Sequence, residues 1–535
     1  MSHSLVRGGT EITMLRTRHG RAAVLPFLAA FAIALGVAGD ALARDPPNQG
    51  RKAGRIAAKA RPVNRIVPAP QSRAANRPAG AWERNGHTAA ATAFPHNGAP
   101  NAFLHHQEAR RAELRREILQ ARSRLPQHPL PGERGFTGVP PPGETRFVSN
   151  EMVFHVAPNI SRQAVENVAR KLNLSMVASH DVALTGGTMF RLRVADGRSV
   201  ADAVRALEAE KLGVAQPNYV FKLQQDPKLA ARTQSGELDQ YVVNKLRLGE
   251  VHRVATGSNV LVAVIDSEID SRHPDLAGAF VERFDAVGRP DKPHVHGTGM
   301  AGAIAAHRQL MGIAPGAKIL AIHAFSPDAG ESPQATTQHI LAGLEWAISK
   351  GARVINMSFA GPYDPMLQLA MKSAHEKGVV LIAAAGNLGP KSPPLYPAAD
   401  PNVIAVTAVD QNDHLFAGAN QGPHIAVAAP GVNVLEPAPD SGYQITTGTS
   451  VAAAHVSGVA ALMLERNRSL DPGTVHEILT SSAKPLAQGG RNDQYGWGLV
   501  DPARALLDVD TQLANERRNN SARPAAAKPG TVSSR

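Results

Sequence analysis

Three residues have the types and settings of a nucleophilic device: Asp266, His296 and Ser450, in that order along 535 residues. A serine hydroxyl becomes a useful nucleophile when an imidazole takes its proton and a carboxylate fixes the tautomer of that imidazole. Asp266 ends the apolar run Leu261-Val262-Ala263-Val264-Ile265, the pattern of a buried strand presenting a carboxylate at its carboxyl edge. His296 opens His-Gly-Thr-Gly-Met-Ala-Gly, small residues that lead into a helix. Ser450 sits in Gly448-Thr449-Ser450-Val451-Ala452-Ala453-Ala454-His455, a glycine-marked turn running into an apolar helix. Taken singly, these residues read as a cap, a buried imidazole and a turn. Placed together on three element ends, they predict acyl transfer.

The elements that must position them alternate between strand and helix. Short apolar runs at Leu261 to Ile265, Lys318 to His323, Val354 to Met357, Val379 to Ala384 and Val403 to Val406 are separated by helical stretches. This predicts an α/β domain over residues 236–507, with a mainly parallel sheet covered on both faces. Residues 147–235 read as a smaller α+β module of βαββαβ order, ferredoxin-like, with a weak strand near Ser175 to Val177. Upstream, residues 44–146 are rich in Pro, Gly, Ala, Asn and Arg and predict a disordered basic linker. One exposed, charge-laced helix is expected within it at 103–125. Residues 508–535 read as a disordered tail.

Charge and cysteine content narrow the classes. The net charge is +12, but 18 basic against 7 acidic residues between Arg44 and Arg146 account for a surplus of 11. Those charges sit among Pro, Ala, Gly and Asn instead of on a folded face interleaved with aromatics, which argues against nucleic acid as a partner. With no cysteine, neither disulfides nor thiolate metal sites are available. Residues Ala22 to Ala38 form an apolar run after Arg16, Arg18 and Arg21, and Ala41-Leu42-Ala43 follows. That is the pattern of a signal peptide covering 1–43, with Met14 as an alternative start, and it predicts a secreted or periplasmic protein. No later stretch is long and apolar enough to span a bilayer.

Seven further stretches carry a resemblance. Val264-Ile265-Asp266-Ser267, His273-Pro274-Asp275-Leu276, His296-Gly297-Thr298, Val354-Ile355-Asn356-Met357-Ser358, Ala384-Ala385-Gly386-Asn387, Ala429-Pro430-Gly431 and Gly448-Thr449-Ser450 resemble the subtilisin-like serine peptidases. The order Asp, His, Ser is that family's order. The resemblance implies a three-layer subtilisin-like fold in which Ser450 attacks a peptide carbonyl, His296 shuttles the proton and Asp266 orients the imidazole. It gives Asn387 the role of oxyanion donor and Ser358, Phe359 and Ala360 that of substrate-binding strand. The module before the domain is similar to the family's inhibitory propeptides. Self-cleavage is then expected between about Phe221 and Gln240, with protein or peptide substrates and the chain's own prodomain as partners.

Departures from the pattern supply a competing reading. Glu268 stands where the family has glycine, which places a bulky anion near the triad at a tight backbone position; this favours an inactive scaffold that holds peptides or stays closed by its prodomain. Ala360 replaces a pocket glycine, Ala454 a proline, and Gly299 a frequent second histidine. The connection His307 to Met311 is short and lacks carboxylates, so the calcium site that Asp275 would serve is expected to be absent, and no metal or cofactor is expected. The pair Tyr396-Pro397 aligns with one that is cis in relatives. Glu331, in an outer cleft loop, would favour cationic substrate residues. The histidines His105, His106, His294 and His375 have no metal-ligand spacing.

Overall fold

The computed structural model describes residues 100–224, 231–233, 240–327 and 332–522. The expected signal peptide, most of the basic linker and Glu331 lie outside the described residues. Helix α1 (Pro100–Arg122) comes first, followed by β1 (Phe147–Val156), α2 (Arg162–Lys171), β2 (Leu174–Val182), β3 (Gly187–Val194), α3 (Val200–Ala209) and β4 (Gly213–Leu223). The four strands pair antiparallel in the order β4-β1-β3-β2, the ferredoxin-like arrangement expected of the small module. Ser161 and Ser199 start its two helices, each hydroxyl accepting an N-terminal backbone N–H. Val165 and Ala169 on α2, with Val204 and Leu207 on α3, pack on Phe154, Phe190 and Leu192 of the sheet.

The larger unit contains β5 (Ala231–Thr233), α4 (Tyr241–Lys245), α5 (Leu248–Val251), β6 (Leu261–Ser267), β7 (Phe280–Asp285), α6 (Val295–Ala305) and β8 (Lys318–Phe325). After these come β9 (Gln334–Thr336), α7 (Thr337–Ser349), β10 (Val354–Met357), β11 (Phe359–Ala360), α8 (Pro365–Glu376) and β12 (Val380–Ala384). The chain closes with β13 (Val403–Val409), β14 (Ile425–Pro430), β15 (Val434–Ala438), β16 (Gly442–Thr446), α9 (Thr449–Arg466), α10 (Pro472–Ser482) and α11 (Pro502–Ala522). Seven strands form one parallel sheet in the order β14-β13-β12-β10-β6-β8-β7. Its central strands are apolar on both faces because helices cover both. Helix α9 is buried from Thr449 through Leu464, which explains its Ala- and Val-rich composition on every side.

Strand order fixes where a site can form. From β6 the chain first builds β7 and β8 on one side, then crosses to build β10, β12, β13 and β14 on the other. Such a reversal opens a crevice at the carboxyl ends of the strands. Asp266 lies near the carboxyl end of β6, at that reversal.

Two expectations need correction. The linker helix does not stand free: Leu114 and Ala121 on α1, and Leu125 just beyond it, are buried. Nor is the chain beyond 507 all tail, since α11 continues to Ala522. Leu506 and Val509 are buried and Leu513 packs against the main core, a helical period that the Asn- and Arg-rich composition obscured.

The small module meets the larger one through β4. Beyond its own sheet, β4 pairs antiparallel with β11 through Leu223 and Lys222, and with β9 through Val220, Phe221 and Lys222. A polar latch reinforces the junction. Buried Asp364 caps α8 by accepting the Leu367 N–H (3.0 Å), and it also accepts from Gln216 Nε2 (2.7 Å) and Thr337 Oγ1 (2.6 Å). Gln216 Oε1 in turn accepts the Met366 N–H at 3.0 Å. Replacing Asp364 by Ala removes a cap and strands two buried donors, so the full chain should lose about 2–4 kcal/mol in urea unfolding. A loss below about 0.5 kcal/mol would show that the latch contributes nothing to stability.

Candidate active site

The structure brings Asp266, His296 and Ser450 together. His296 Nδ1 lies 2.8 and 2.9 Å from the two Asp266 carboxylate oxygens, and its Nε2 lies 3.1 Å from Ser450 Oγ. All three side chains are buried. They arrive from the end of β6, the start of α6 and the start of α9. Each is held by local chemistry that the sequence pattern did not single out. Ser267, one residue on, gives both its N–H (2.7 Å) and its hydroxyl (3.0 Å) to Asp266 Oδ1. The same hydroxyl accepts the Gly297 N–H at 3.1 Å, so it ties the carboxylate to the first turn of α6. His294 caps α6 by accepting the His296 N–H at 3.2 Å and also lies 3.3 Å from Ser267 Oγ. Burial and the neighbouring His296 hold the His294 imidazole below its ordinary pKa, which favours its neutral, capping form.

Around Ser450 the donors and acceptors are equally ordered. Ser358 Oγ donates to the Ser450 carbonyl at 3.0 Å while accepting from Asn356 Nδ2 at 2.9 Å, and Asn356 Oδ1 accepts from Ser457 at 3.0 Å. This chain of polar contacts joins the end of β10 to α9. Asn387 has its Oδ1 fixed by the Thr449 N–H (3.1 Å) and Thr449 hydroxyl (2.8 Å). Its Nδ2 is buried without a hydrogen-bond partner. An oriented, unfilled donor beside a nucleophile is the arrangement that stabilises a developing oxyanion.

The cleft is filled by the end of β4. The Gln224 carbonyl oxygen is in direct contact with Ser450 Oγ, the Gln224 N–H donates to the Ser358 carbonyl at 3.2 Å, and Gln224 Oε1 accepts the Asn387 backbone N–H at 2.9 Å. Phe359 and Ala360 pair with Leu223 and Lys222. Gly448 makes this approach possible, because a Cβ there would stand 2.7 Å from the Gln224 carbonyl oxygen. The ring of Phe221 meets that of Phe359 edge-on at 5.9 Å. No sequence signal distinguishes Gln224 from its neighbours; only the register of β4 against β11 does.

Glu268 does not intrude on the triad. Its carboxylate turns to Arg283, which binds both oxygens (2.8 Å at Oε1, 2.5 Å at Oε2), and its backbone is not in the left-handed region. The strain and repulsion expected at this position are therefore absent. Arg283 on β7, out of reach of any local motif, is the reason. Asp275 gives its carboxylate to the backbone N–H groups of Gln309 (2.6 Å) and Leu310 (3.2 Å) in the short connection. The Tyr396-Pro397 bond is cis.

Gly299 has a different consequence. A Cβ there would lie 2.6 Å from Glu436 Oε2, so the missing side chain makes room for a buried carboxyl from β15. Burial, with the like charge of Asp266 adding to it, pushes the Glu436 carboxyl up to about 8.

Comparison with known proteins gives the chain a family and relatives. The Subtilase family model matches residues 257–498. Thermitase of Thermoactinomyces vulgaris is 37% identical over 275 residues, 50% of this chain and 95% of thermitase. Fervidolysin of Fervidobacterium pennivorans is 34% identical over 287 residues, 47% of this chain but 41% of fervidolysin, so the chain spans less than half of that relative. The crystal structure of fervidolysin, described as a keratinolytic enzyme related to subtilisin, superposes with a TM-score of 0.59 at 26% identity, covering 72% of this chain and 64% of that one.

The Glu436 environment yields a pH prediction. With a folded pKa near 8 against an ordinary 4.5, the folded chain keeps a proton that the unfolded chain releases. The corresponding stability is complete below the unfolded value and is lost as pH rises towards 8. Glu436→Gln should flatten the fall in melting temperature between pH 5 and 8.5. An unchanged pH profile would place the Glu436 carboxyl at an ordinary value.

Proposed function

Because the chain belongs to the subtilase family, we propose that it is an exported serine endopeptidase made as a self-processing precursor, and that it cuts its own chain between Gln224 and Gln225. The observation that carries this reading is the contact of the Gln224 carbonyl with Ser450 Oγ, inside a strand ladder running from Val220 to Leu223. An extended peptide held on both edges, with one carbonyl against the nucleophile, is a bound substrate in form.

The residues then have these roles. Ser450 Oγ attacks the Gln224 carbonyl carbon as its proton passes to His296 Nε2. Asp266, on Nδ1, holds the tautomer and stabilises the imidazolium. The charge that develops on the Gln224 oxygen is met by Asn387 Nδ2 and by the Ser450 N–H at the start of α9, where the helix dipole also favours it. His296 returns the proton to the departing amine of Gln225, and water, activated by the same imidazole, hydrolyses the acyl-enzyme. Ser358 through its carbonyl, with Phe359 and Ala360, supports the acyl side as a strand. The prodomain thus acts as the first substrate and then as an inhibitor, and other protein substrates enter the same ladder once it leaves. Export rests on the Ala22 to Ala38 run and the Ala41-Leu42-Ala43 site, placing the protein outside the cell or in the periplasm.

The inactive-scaffold reading rested on Glu268, and the Arg283 pair removes its motivation.

Two outcomes test the proposal. Purified precursor should yield a fragment beginning at Gln225 by mass spectrometry, and the processed form should be labelled by a fluorophosphonate at Ser450. Ser450→Ala should show neither. Intact precursor without labelling in the unaltered protein would sink the enzyme reading. Asn387→Ala should lower turnover by about 100- to 1000-fold, the magnitude measured for such a donor in a subtilisin, with little change in KM.

A further inference from the structure

The cleft strand is not the only place where the inhibitor segment grips the larger unit. Upstream of the small module, residues 100–146 run across a face of the larger unit remote in sequence from the triad. Arg115 on α1 pairs with Glu477 on α10, Nη2 lying 3.1 Å from Oε2 and Nε bonding to Oε1. Seven residues on, Arg122 donates to the carbonyls of Pro401 and Val403, the latter at 3.0 Å. Arg124 reaches Asp493 at 3.2 Å. On the same stripe of α1, Ile118 and Ala121 line a small cavity together with His424, Ile425 and Trp497. Past the helix, His128 stacks on Tyr363 with ring centres 3.8 Å apart at 15° and meets Tyr396 edge-on. The strand of chain then joins the small module, where Thr137 and Gly138 donate to Glu208 on α3, the Gly138 N–H at 2.6 Å.

This is more than an exposed spacer helix requires. Arg122 is half-buried, and desolvation holds its pKa down to about 10 despite the nearby Asp400. A partly desolvated arginine whose hydrogen bonds go to backbone carbonyls is costly unless the surface is shaped to receive it. Three arginines, a flat aromatic contact and a buried apolar stripe form a continuous docking surface with a defined occupant.

We propose that residues 100–146 are a strap that holds the inhibitor segment on the enzyme after the bond between Gln224 and Gln225 is cut. The proposal rests on the proteolytic reading for its biological meaning, although not for its geometry. Once that bond is broken, the fragment ending at Gln224 is attached at two independent places: β4 in the cleft, and the strap on the face formed by α10, the segments around Pro401 and His424, and Tyr363. Opening one leaves the other to return it, so the two contacts act as a bivalent tether. Complete activation then requires the strap to be released or severed, and cutting the strap is a separate control from cutting at Gln224.

The strap is tested without relying on self-cleavage. In a Ser450→Ala precursor, a recognition site for a sequence-specific external protease is placed within residues 225–230, so that β5 and its pairing with β16 stay with the enzyme unit. After that cut, the enzyme unit is immobilised through its carboxyl terminus and departure of the amino-terminal fragment is timed. One variant carries Arg115→Ala, Arg122→Ala and His128→Ala. A second keeps every strap contact but adds a protease site within residues 139–143, so that strap and small module can be separated. Both should release the small module about 10- to 100-fold faster than the unaltered strap. Release within twofold of the unaltered strap in both would overturn the proposal. The unaltered precursor, run in parallel, reports self-cleavage at Gln224 by mass, so failure of the proteolytic reading and failure of the strap are separate results.

Discussion

A carboxylate with no exposure to water has to be satisfied entirely by the protein, and Asp266 is such a group. Its partners are the His296 ring, the Ser267 N–H and the Ser267 hydroxyl. Meeting that demand dictates much of the surrounding structure. The first turn of α6 must stand over the end of β6, which it does through the Gly297 N–H on Ser267 and the His294 cap. Those requirements in turn fix which face of α6 meets α9 and the β15–β16 hairpin, and so where Ser450 can lie. The site at the strand reversal is thus an outcome of burying a charge at the middle of a sheet.

The second organising element is a strand shared between two sheets. β4 completes the antiparallel sheet of the small module and then continues into a ladder between β9 and β11. Backbone hydrogen bonds hold it, so its position is set mainly by register and only secondarily by side chains. Gln216 and Asp364 set that register from the flank, at the N-terminus of α8. A slip of two residues would keep the faces of the strand but would carry Gln216 out of reach of Asp364. The Gln224 carbonyl would move away from Ser450 at the same time.

Much of this was legible in the sequence, for physical reasons. Strands buried on both faces write themselves as apolar runs, and the run Val354 to Met357 coincides with β10 at both ends. The motif residues around Asp266, His296, Asn387 and Ser450 are local, so their setting could be read locally. What was hidden depends on long-range pairing. Arg283 on β7 neutralises Glu268, and Glu436 occupies space left by Gly299 from a strand more than a hundred residues away; neither has a periodic signature. The burial of charge-rich α1 and of Asn-rich α11 is hidden because their buried stripes are thin, resting on residues such as Leu114 and Ala121 in one and Leu506 and Val509 in the other. Composition averages over such stripes and reports only the solvated face.

The ladder around Val220 to Leu223 has a consequence for whatever else enters the cleft. Two flanking strands accept a chain only when it is extended and its own backbone hydrogen bonds are unmade. A segment locked in a helix or in the middle of a sheet must first open locally, and the free energy of that opening is subtracted from its binding. Selection among proteins would then follow how often a stretch frays, more than which side chains it bears. A cleft built this way discriminates by the backbone state of whatever enters it, admitting extended or frayed segments ahead of helices and paired strands.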